Sequence, residues 1–135
     1  MTPVGLPVRV VVGLLFDETG RVLIALRDPD KLYGGLWEFP GGKVEPGETD
    51  RTALVREMRE ELDAPIIIVR VFPGYRFTSG RLSAEFIPIS GTIEPAHISL
   101  QEHHDHRFIT IEEIVEFPFA PYDQTAISML RNGLV

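Results

Sequence analysis

The stretch GGKVEPGETDRTALVREMREELDA, from Gly41 to Ala64, carries most of the information on the fold and function of this chain of 135 residues. Two glycines precede a helical segment that crowds Glu57, Glu60 and Glu61 together. At about 100° per residue the three carboxylates share one stripe of the helix, where like charges repel. The stripe therefore predicts either a solvated acidic face balanced by neighbouring arginines or an oxygen-rich site for a hard cation such as Mg²⁺.

The same segment has a second, apolar face and clear ends. Thr49 is a suitable N-cap and Pro65 lies just beyond the other end, so we expect the helix to span residues 50–62. The side chains predicted to face the core lie beside the acidic stripe, and they are Leu54, Val55, Met58 and Leu62.

Strands are predicted on both sides of this helix from β-branched and apolar runs. The predicted strands cover residues 8–16, 21–27, 65–72 and 81–90, with a short extended piece at 36–39. A short helix with a threonine N-cap pattern is expected at 110–117 and a closing helix at 122–132. This order predicts an α/β fold with a mixed β-sheet and helices packed on it, as a single domain over residues 1–135.

The composition excludes several classes of protein. Hydrophobic residues make up 44% and charged residues 24%, as in soluble globular proteins. There is no cysteine, which excludes disulfides and thiolate metal sites. The net charge of −7 disfavours binding to duplex nucleic acid. The N-terminal segment lacks the features of a signal peptide and is too short to span a bilayer, so we expect a cytoplasmic protein without a membrane partner.

From Gly42 onward the sequence resembles the Nudix box, the loop-helix-loop signature of the Nudix hydrolases, over residues 42–64. The signature residues present here are Gly42, Glu48, Arg56, Glu57, Glu60 and Glu61. Two positions depart from the pattern, because Asp63 replaces a glycine and Ala64 a bulky aliphatic residue. The glycine closes a helix in the left-handed conformation, so Asp63 is expected to cost about 1 kcal/mol of local stability without changing a ligand.

The resemblance implies a Nudix fold, an α/β/α sandwich, and a hydrolase that depends on Mg²⁺, with Mn²⁺ as an alternative. The implied metal ligands are the carboxylates of Glu57, Glu60 and Glu61 and the carbonyl of Gly41. Arg56 would orient a glutamate through charge-assisted hydrogen bonds, with Glu48 as the expected partner. Such a metal neutralises phosphate oxygens and activates a water for attack on phosphorus.

The segment GGLWEFPGGKVEPGET looks most like the MutT branch of the family and its cytidine-nucleotide relatives. This likeness implies a nucleoside triphosphate pyrophosphohydrolase that releases a nucleoside monophosphate and pyrophosphate. Its implied role is nucleotide-pool sanitation, with 8-oxo-dGTP or a cytosine nucleotide as lead substrates, and its expected state is a monomer or homodimer. Hydrolysis of ADP-ribose or dinucleoside polyphosphates, or a non-catalytic nucleotide-binding module, are the alternatives.

Positions outside the acidic stripe complete the implied site. Lys43 would lie near the substrate phosphates, and Arg27 would reach the phosphate or base unless it is a surface arginine. Asp123 stands where MutT proteins read the base with asparagine, and it is also suited to be a helix N-cap. Because an ionised aspartate only accepts hydrogen bonds whereas asparagine also donates, the base preference stays open. Phe39 flanks the loop as a candidate substrate contact, whereas Trp37 is expected in the core.

The wider match adds two residues in predicted loops. Glu102, in LQEHHDHRF, stands where MutT-like enzymes carry a glutamate that approaches the metal and its water, although an exposed loop acid is an equal alternative. Arg81, in TSGR, is either a substrate contact or a hairpin residue. The same stretch contains a cluster of possible metal ligands, namely His103, His104, Asp105 and His106. Because neighbouring loop residues seldom converge on one ion, we expect these residues to form part of a loop rather than a zinc site.

Overall fold

A mixed sheet forms the centre of the computed structural model, which describes residues 8–80, 82–99 and 105–135. Within these residues the strands are β1 (Val8–Phe16), β2 (Val22–Leu26), β3 (Trp37–Glu38), β4 (Gly41–Lys43), β5 (Ile66–Val71), β6 (Tyr75–Ser79), β7 (Leu82–Ile93) and β8 (His106–Ile109). The α-helices are α1 (Asp50–Leu62) and α2 (Gln124–Arg131). Short 3₁₀ helices cover Pro95–His97, Glu112–Glu116 and Pro121–Asp123.

Strand β1 organises this sheet. It runs parallel to β7 along its full length, from Val8 opposite Ala84 to Phe16 opposite Thr92. It is antiparallel to both β2 and β4, and the strand order is β3-β2-β1-β7-β5. The predicted mixed sheet is therefore confirmed, and the antiparallel pairing of β4 with Val10 to Val12 places the β4 loop beside the first half of β1.

The alternation of side chains along β1 divides the interior into two cores. Val11 and Leu15 pack in the core that α1 covers, together with Met58. Val12 and Leu14 lie in the core on the other side of the sheet, which α2 covers. The sheet is thus enclosed between helices, which confirms the predicted α/β/α arrangement.

Helix α1 has the predicted bounds of 50–62, set by local chemistry at both ends. The Thr49 hydroxyl accepts a hydrogen bond from the backbone N–H of Thr52 at 3.1 Å, and the Thr52 hydroxyl accepts one from the N–H of Thr49 at 2.9 Å. This reciprocal capping box satisfies two amides of the first turn. At the other end Asp63 adopts the left-handed conformation with φ 49° and ψ 39°, as expected from the position of the family glycine.

The structure corrects several expectations about local structure. Val55 was predicted to face the core but is 40% exposed, because the buried face of α1 is centred on Leu54 and Met58. The residues from 112 to 116 form a 3₁₀ helix, although Thr110 and Glu113 do exchange the expected capping hydrogen bonds. Strands β4, β6 and β8 were not predicted, and His106 begins β8 rather than lying in a loop. Trp37 is buried as expected.

Candidate active site

A cavity of about 300 Å³ collects most of the residues that the sequence predicted for the site. Its walls come from β1, β4, the acidic side of α1, the start of β7 and the segment before α2. The predicted residues that line it are Arg27, Phe39, Gly41, Lys43, Glu57, Glu61 and Asp123. A larger cavity of about 640 Å³ lies between Phe16, Ile66 and Ile93 and contains none of the predicted site residues. The smaller cavity is therefore the candidate active site.

Arg56 connects the acidic side chains at the end of the site formed by α1 and β4, which we call the charged end. Its Nε and Nη2 donate to the two carboxylate oxygens of Glu48 at 2.7 and 3.0 Å, which is the predicted pair in a bidentate geometry. Its Nη1 donates to Glu57 at 2.9 Å and to Glu60 at 3.1 Å, and Nη2 also donates to the carbonyl of Lys43 at 2.9 Å. One guanidinium thus ties the β4 loop to α1.

This network shifts the pKa values of Glu48 and Arg56 in the direction that keeps both groups charged. The hydrogen bond from Arg56 lowers the pKa of Glu48 below its ordinary value, and the backbone N–H of Glu45 adds to the effect. The bond to Glu48 likewise raises the pKa of Arg56. The loop is therefore held in place by groups that stay ionised across the neutral pH range.

The β4 loop approaches α1 so closely that a side chain at position 42 would displace the Glu57 carboxylate. A Cβ atom added to Gly42 would lie 2.2 Å from the carboxyl carbon of Glu57, far inside van der Waals contact. The carboxylate therefore rests directly against the loop backbone. Gly41 is similarly confined, since an added Cβ would lie 1.9 Å from the carbonyl oxygen of Val11. Gly41 thus permits the close pairing of β4 with β1, and Gly42 leaves room for the Glu57 carboxylate.

The acidic side chains of α1 differ in position. Glu57 and Glu61 line the cavity. Glu61 is only 6% exposed, which is unusual for a carboxylate side chain. Glu60 lies outside the cavity, about half of its side chain is exposed, and Arg56 binds it. Among residues 8–80, 82–99 and 105–135, no three acidic or histidine side chains come close enough together to hold a metal ion. The structure thus brings two of the three predicted ligands to one place.

The donor chemistry of this end suits a hard divalent cation. Two carboxylates, those of Glu57 and Glu61, share the cavity wall with the backbone of Gly41, and all of these groups offer oxygen. Mg²⁺ prefers oxygen ligands and retains several waters, so a site with two protein carboxylates is sufficient to bind it. Burial of a carboxylate such as Glu61 is costly unless it is paired and hydrogen-bonded, and a cation is one partner of the right charge. The residues present therefore fit the implied metal.

The other end of the cavity is built around Asp123, which is 1% exposed. Its Oδ2 accepts a hydrogen bond from the backbone N–H of Phe39 at 2.9 Å, whereas Oδ1 is buried without a hydrogen-bond partner in the described part of the chain. Asp123 does occupy the N-cap position of α2, but its side chain makes no capping hydrogen bond. Phe39 is itself 3% exposed and packs on Phe119 at 5.2 Å between ring centroids.

Burial changes the chemistry of this aspartate. Loss of hydration raises the pKa of Asp123 well above its ordinary value, and only the N–H of Phe39 and the more distant Arg27 oppose the shift. A carboxyl group favoured in its protonated form can donate as well as accept a hydrogen bond. This shift moves Asp123 toward the hydrogen-bonding pattern of the asparagine that MutT proteins carry at this position.

Glu38 and Tyr122 are two further residues of the cavity, and sequence reasoning did not select them. The hydroxyl of Tyr122 donates to Oε1 of Glu38 at 2.5 Å, and Nη1 of Arg27 donates to the same oxygen at 3.1 Å. Glu38 is only 8% exposed, between Trp37 and Phe39. A charged residue between two aromatic residues of a buried strand was the signal available in the sequence.

Arg27 was predicted either to reach the substrate or to be a surface arginine, and its side chain is partly buried and held by hydrogen bonds and an aromatic contact. Its Nε donates to the carbonyl of Leu32 at 2.5 Å, and its guanidinium carbon lies 5.8 Å from the centre of the Tyr122 ring. Arg27 lines the cavity, and its expected contact with the substrate stays a prediction. Glu102, Arg81, His103 and His104 lie outside the described residues, so the predictions for them stay predictions.

Comparison with known proteins places this architecture in a family. The family sequence model described as the NUDIX domain matches residues 11–129 of this chain. This range includes every residue of the cavity wall except Val10. The chain belongs to the NUDIX domain family. The Nudix resemblance is therefore confirmed. None of the helices in residues 8–80, 82–99 and 105–135 has the length and hydropathy needed to cross a membrane.

Individual relatives of this Nudix chain extend the likeness over most of its length. It is 40% identical over 118 residues to the CTP pyrophosphohydrolase of Escherichia coli (strain K12), covering 84% of each chain. It is 32% identical over 122 residues to the putative 8-oxo-dGTP diphosphatase 2 of Mycobacterium tuberculosis (strain ATCC 25618 / H37Rv), covering 84% of this chain and 81% of that protein. The crystal structure of the MutT protein from Methanosarcina mazei Go1 superposes with a TM-score of 0.85 at 22% identity, covering 98% of this chain and 99% of the other, and confirms the fold.

Proposed function

We propose that this Nudix protein is a Mg²⁺-dependent nucleoside triphosphate pyrophosphohydrolase that releases a nucleoside monophosphate and pyrophosphate. The observation that carries the proposal is the division of one cavity into two chemically different ends. Carboxylates and the Arg56 network occupy one end, whereas buried hydrogen-bonding groups and aromatic rings occupy the other. A nucleotide has the matching division into a charged phosphate chain and a planar, polar base.

The charged end supplies the groups for phosphate chemistry. Glu57 and Glu61 would hold the cation, with Glu60 as a further candidate and Gly41 contributing its backbone oxygen. A bound Mg²⁺ would supply charge neutralisation for the phosphate oxygens and lower the pKa of a coordinated water. Lys43 is exposed at the rim of the cavity and its ammonium would attract the phosphate chain. Arg56 positions Glu57 through its hydrogen bond and so sets the geometry of this end.

The aromatic end supplies the groups for base selection. Phe86 and Tyr122 are stacked at 5.2 Å and both line the cavity, which gives a planar surface beside the base. Glu38 accepts hydrogen bonds from two neighbours, and Asp123 offers a buried carboxyl oxygen for a base edge. Cytosine nucleotides are the lead substrates, because the relative with 40% identity is a CTP pyrophosphohydrolase, and 8-oxo-dGTP is the second candidate. We also propose a cytoplasmic location and a role in nucleotide-pool sanitation.

A hydrolysis panel at saturating Mg²⁺ tests this proposal. It presents normal, 8-oxo and methylated (d)NTPs with ADP-ribose and diadenosine tetraphosphate, and measures pyrophosphate separately from phosphate. Pyrophosphate release from a few triphosphates is the expected result. AMP from ADP-ribose, with little product from triphosphates, would contradict the substrate class while leaving the metal site in place.

A variant pair separates an enzyme from a nucleotide-binding module. Glu61→Gln removes a carboxylate from the cavity wall with little change in shape, and we expect kcat to fall by at least about 10²-fold while the protein stays folded. Glu116→Gln, at an exposed position outside the cavity lining, is the control and should retain wild-type turnover. Equal turnover in the two variants would refute the assigned role of Glu61.

A further inference from the structure

The loop of residues 28–36 contains a strained aromatic residue. Tyr33 has φ 61°, and Asp63 is the other non-glycine residue with positive φ in the described part of the chain. A bulky side chain seldom adopts this left-handed conformation, whereas glycine does so freely. Gly35 in the same loop also has positive φ, at 81°, but without a side chain it bears no strain there, unlike Tyr33.

The loop backbone is held too tightly for Tyr33 to relax easily. A Cβ atom added to Gly34 would lie 2.5 Å from the carbonyl oxygens of Asp28 and Pro29. Arg27 exchanges backbone hydrogen bonds with Leu36 and Gly35 at 2.9 and 3.0 Å, which closes the loop at its base. Strain of this kind persists only where the surroundings enforce it, and it concentrates at functional sites.

The Tyr33 side chain makes two contacts that reach the aromatic end of the cavity. Its ring meets the Tyr122 ring edge-on, with centroids 5.8 Å apart and an interplanar angle of 65°. Its hydroxyl donates to the hydroxyl of Ser79 at 3.2 Å, and Ser79 ends β6 next to the strand that carries Phe86. Tyr33 does not line the cavity itself.

We infer that Tyr33 is a positioning residue for base selection, which acts by holding the Tyr122 ring between loop 28–36 and the stacked Phe86. Tyr122 is packed on one side by Phe86 at 5.2 Å and meets Tyr33 on another, and its hydroxyl fixes the orientation of the Glu38 carboxylate. Without the Tyr33 ring, Tyr122 has room to move, and with it the acceptor that faces the base. This inference rests on the proposed nucleotide hydrolysis and adds the residue that sets its discrimination between bases.

The position allows a variant in which stability and selectivity respond differently. Tyr33→Gly removes the ring but suits the left-handed backbone, so loss of the contact and relief of strain oppose each other in the free energy of unfolding. We expect its melting temperature to stay close to that of the wild type. Its KM for the best triphosphate should rise by about 3- to 10-fold, the scale of one aromatic pair, with kcat little changed.

Three further measurements distinguish positioning from a general loosening of the protein. Tyr33→Phe keeps the ring and should restore most of the wild-type KM. The kcat/KM ratio between two triphosphates that differ only in the base should fall in Tyr33→Gly. The inhibition constant of pyrophosphate, which has no base and would bind only at the charged end, should be the same in the wild type and in Tyr33→Gly. Asp30→Ala, an exposed position in the same loop, is the control and should match the wild type in all three.

The outcomes separate this inference from the proposed function. Wild-type turnover with unchanged KM and base ratio in Tyr33→Gly overturns the role of Tyr33 alone. Absence of triphosphate turnover by the wild type overturns the proposed function and this inference with it. If Tyr33→Gly does not fold, Tyr33→Asn replaces it, because asparagine tolerates the left-handed conformation and also lacks the ring.

Discussion

Replacement of Asp63 by glycine should stabilise this protein. Asp63 closes α1 with φ 49° and ψ 39°, and its backbone N–H donates to the carbonyl of Arg59 at 3.0 Å. That hydrogen bond belongs to the backbone and survives in Asp63→Gly. The side chain is exposed, so its removal creates no cavity. The substitution thus removes the conformational cost of a Cβ at a left-handed helix end, together with the charge of the side chain.

The expected gain in the free energy of unfolding follows from three effects, two that favour glycine and one that opposes it. A left-handed L-residue costs about 1–2 kcal/mol, with aspartate near the low end of that range. A carboxylate near a helix C-terminus is unfavourable by about 0.3–1 kcal/mol, because it meets the negative end of the helix dipole. Glycine gives back about 0.4–1 kcal/mol through the greater freedom of the unfolded chain. The net stabilisation is about 1 kcal/mol, or a rise of about 4 °C in the melting temperature for a chain of this length.

Thermal unfolding followed by circular dichroism, with urea unfolding as an independent measure, tests this value. Asp63→Asn removes the charge but keeps the Cβ, so it should recover only the dipole part of the gain. Turnover should be unchanged in both variants, since Asp63 is not in the cavity lining. A melting temperature of Asp63→Gly equal to or below that of the wild type would refute the argument from left-handed strain.

Three further predictions concern the site. Gly42→Ala places a methyl group on the Glu57 carboxylate, so kcat should fall by about 10²-fold with a smaller effect on the melting temperature; rates within twofold of wild type would argue against the close approach. Arg56→Lys cannot reproduce the forked contacts to Glu48 and should lower kcat by about 10²-fold, measured against Arg51→Lys on the exposed side of α1. Burial raises the pKa of Asp123 in the folded state, so the contribution of Asp123 to the stability of the wild type falls as the pH rises above about 3.9, the unfolded value. Asp123→Asn does not titrate, and its melting temperature relative to wild type should increase with pH from 4 to 8; a pH-independent difference would contradict the raised pKa.

The sequence by itself determined the features that depend on neighbouring residues. The N-cap at Thr49 and the bounds of α1 follow from chemistry within a few positions, and the left-handed end at Asp63 was implied by the glycine of the Nudix signature. The pairing of Arg56 with Glu48 is also local, eight positions apart, and it was implied by the spacing of the Nudix signature.

Short strands were beyond the reach of the sequence, because their hydrogen bonds come from distant partners. β4 has three residues, and it is a strand only because Val10 to Val12 of β1 lie beside it. Packing also decided the exposure of Val55. The helical periodicity places Val55 beside the apolar face of α1, but the sheet contacts the face that carries Leu54 and Met58.

The tertiary structure alone decided how the aromatic end of the site is assembled. Tyr122 meets Glu38, and Asp123 meets the N–H of Phe39, each across 84 positions of the chain. Such contacts bury polar groups in pairs, and a pair is stable only when both partners are held in place by the surrounding core. The sequence contains each of these residues, but their ionisation and orientation depend on burial, which arises only when the sheet and α2 close around them.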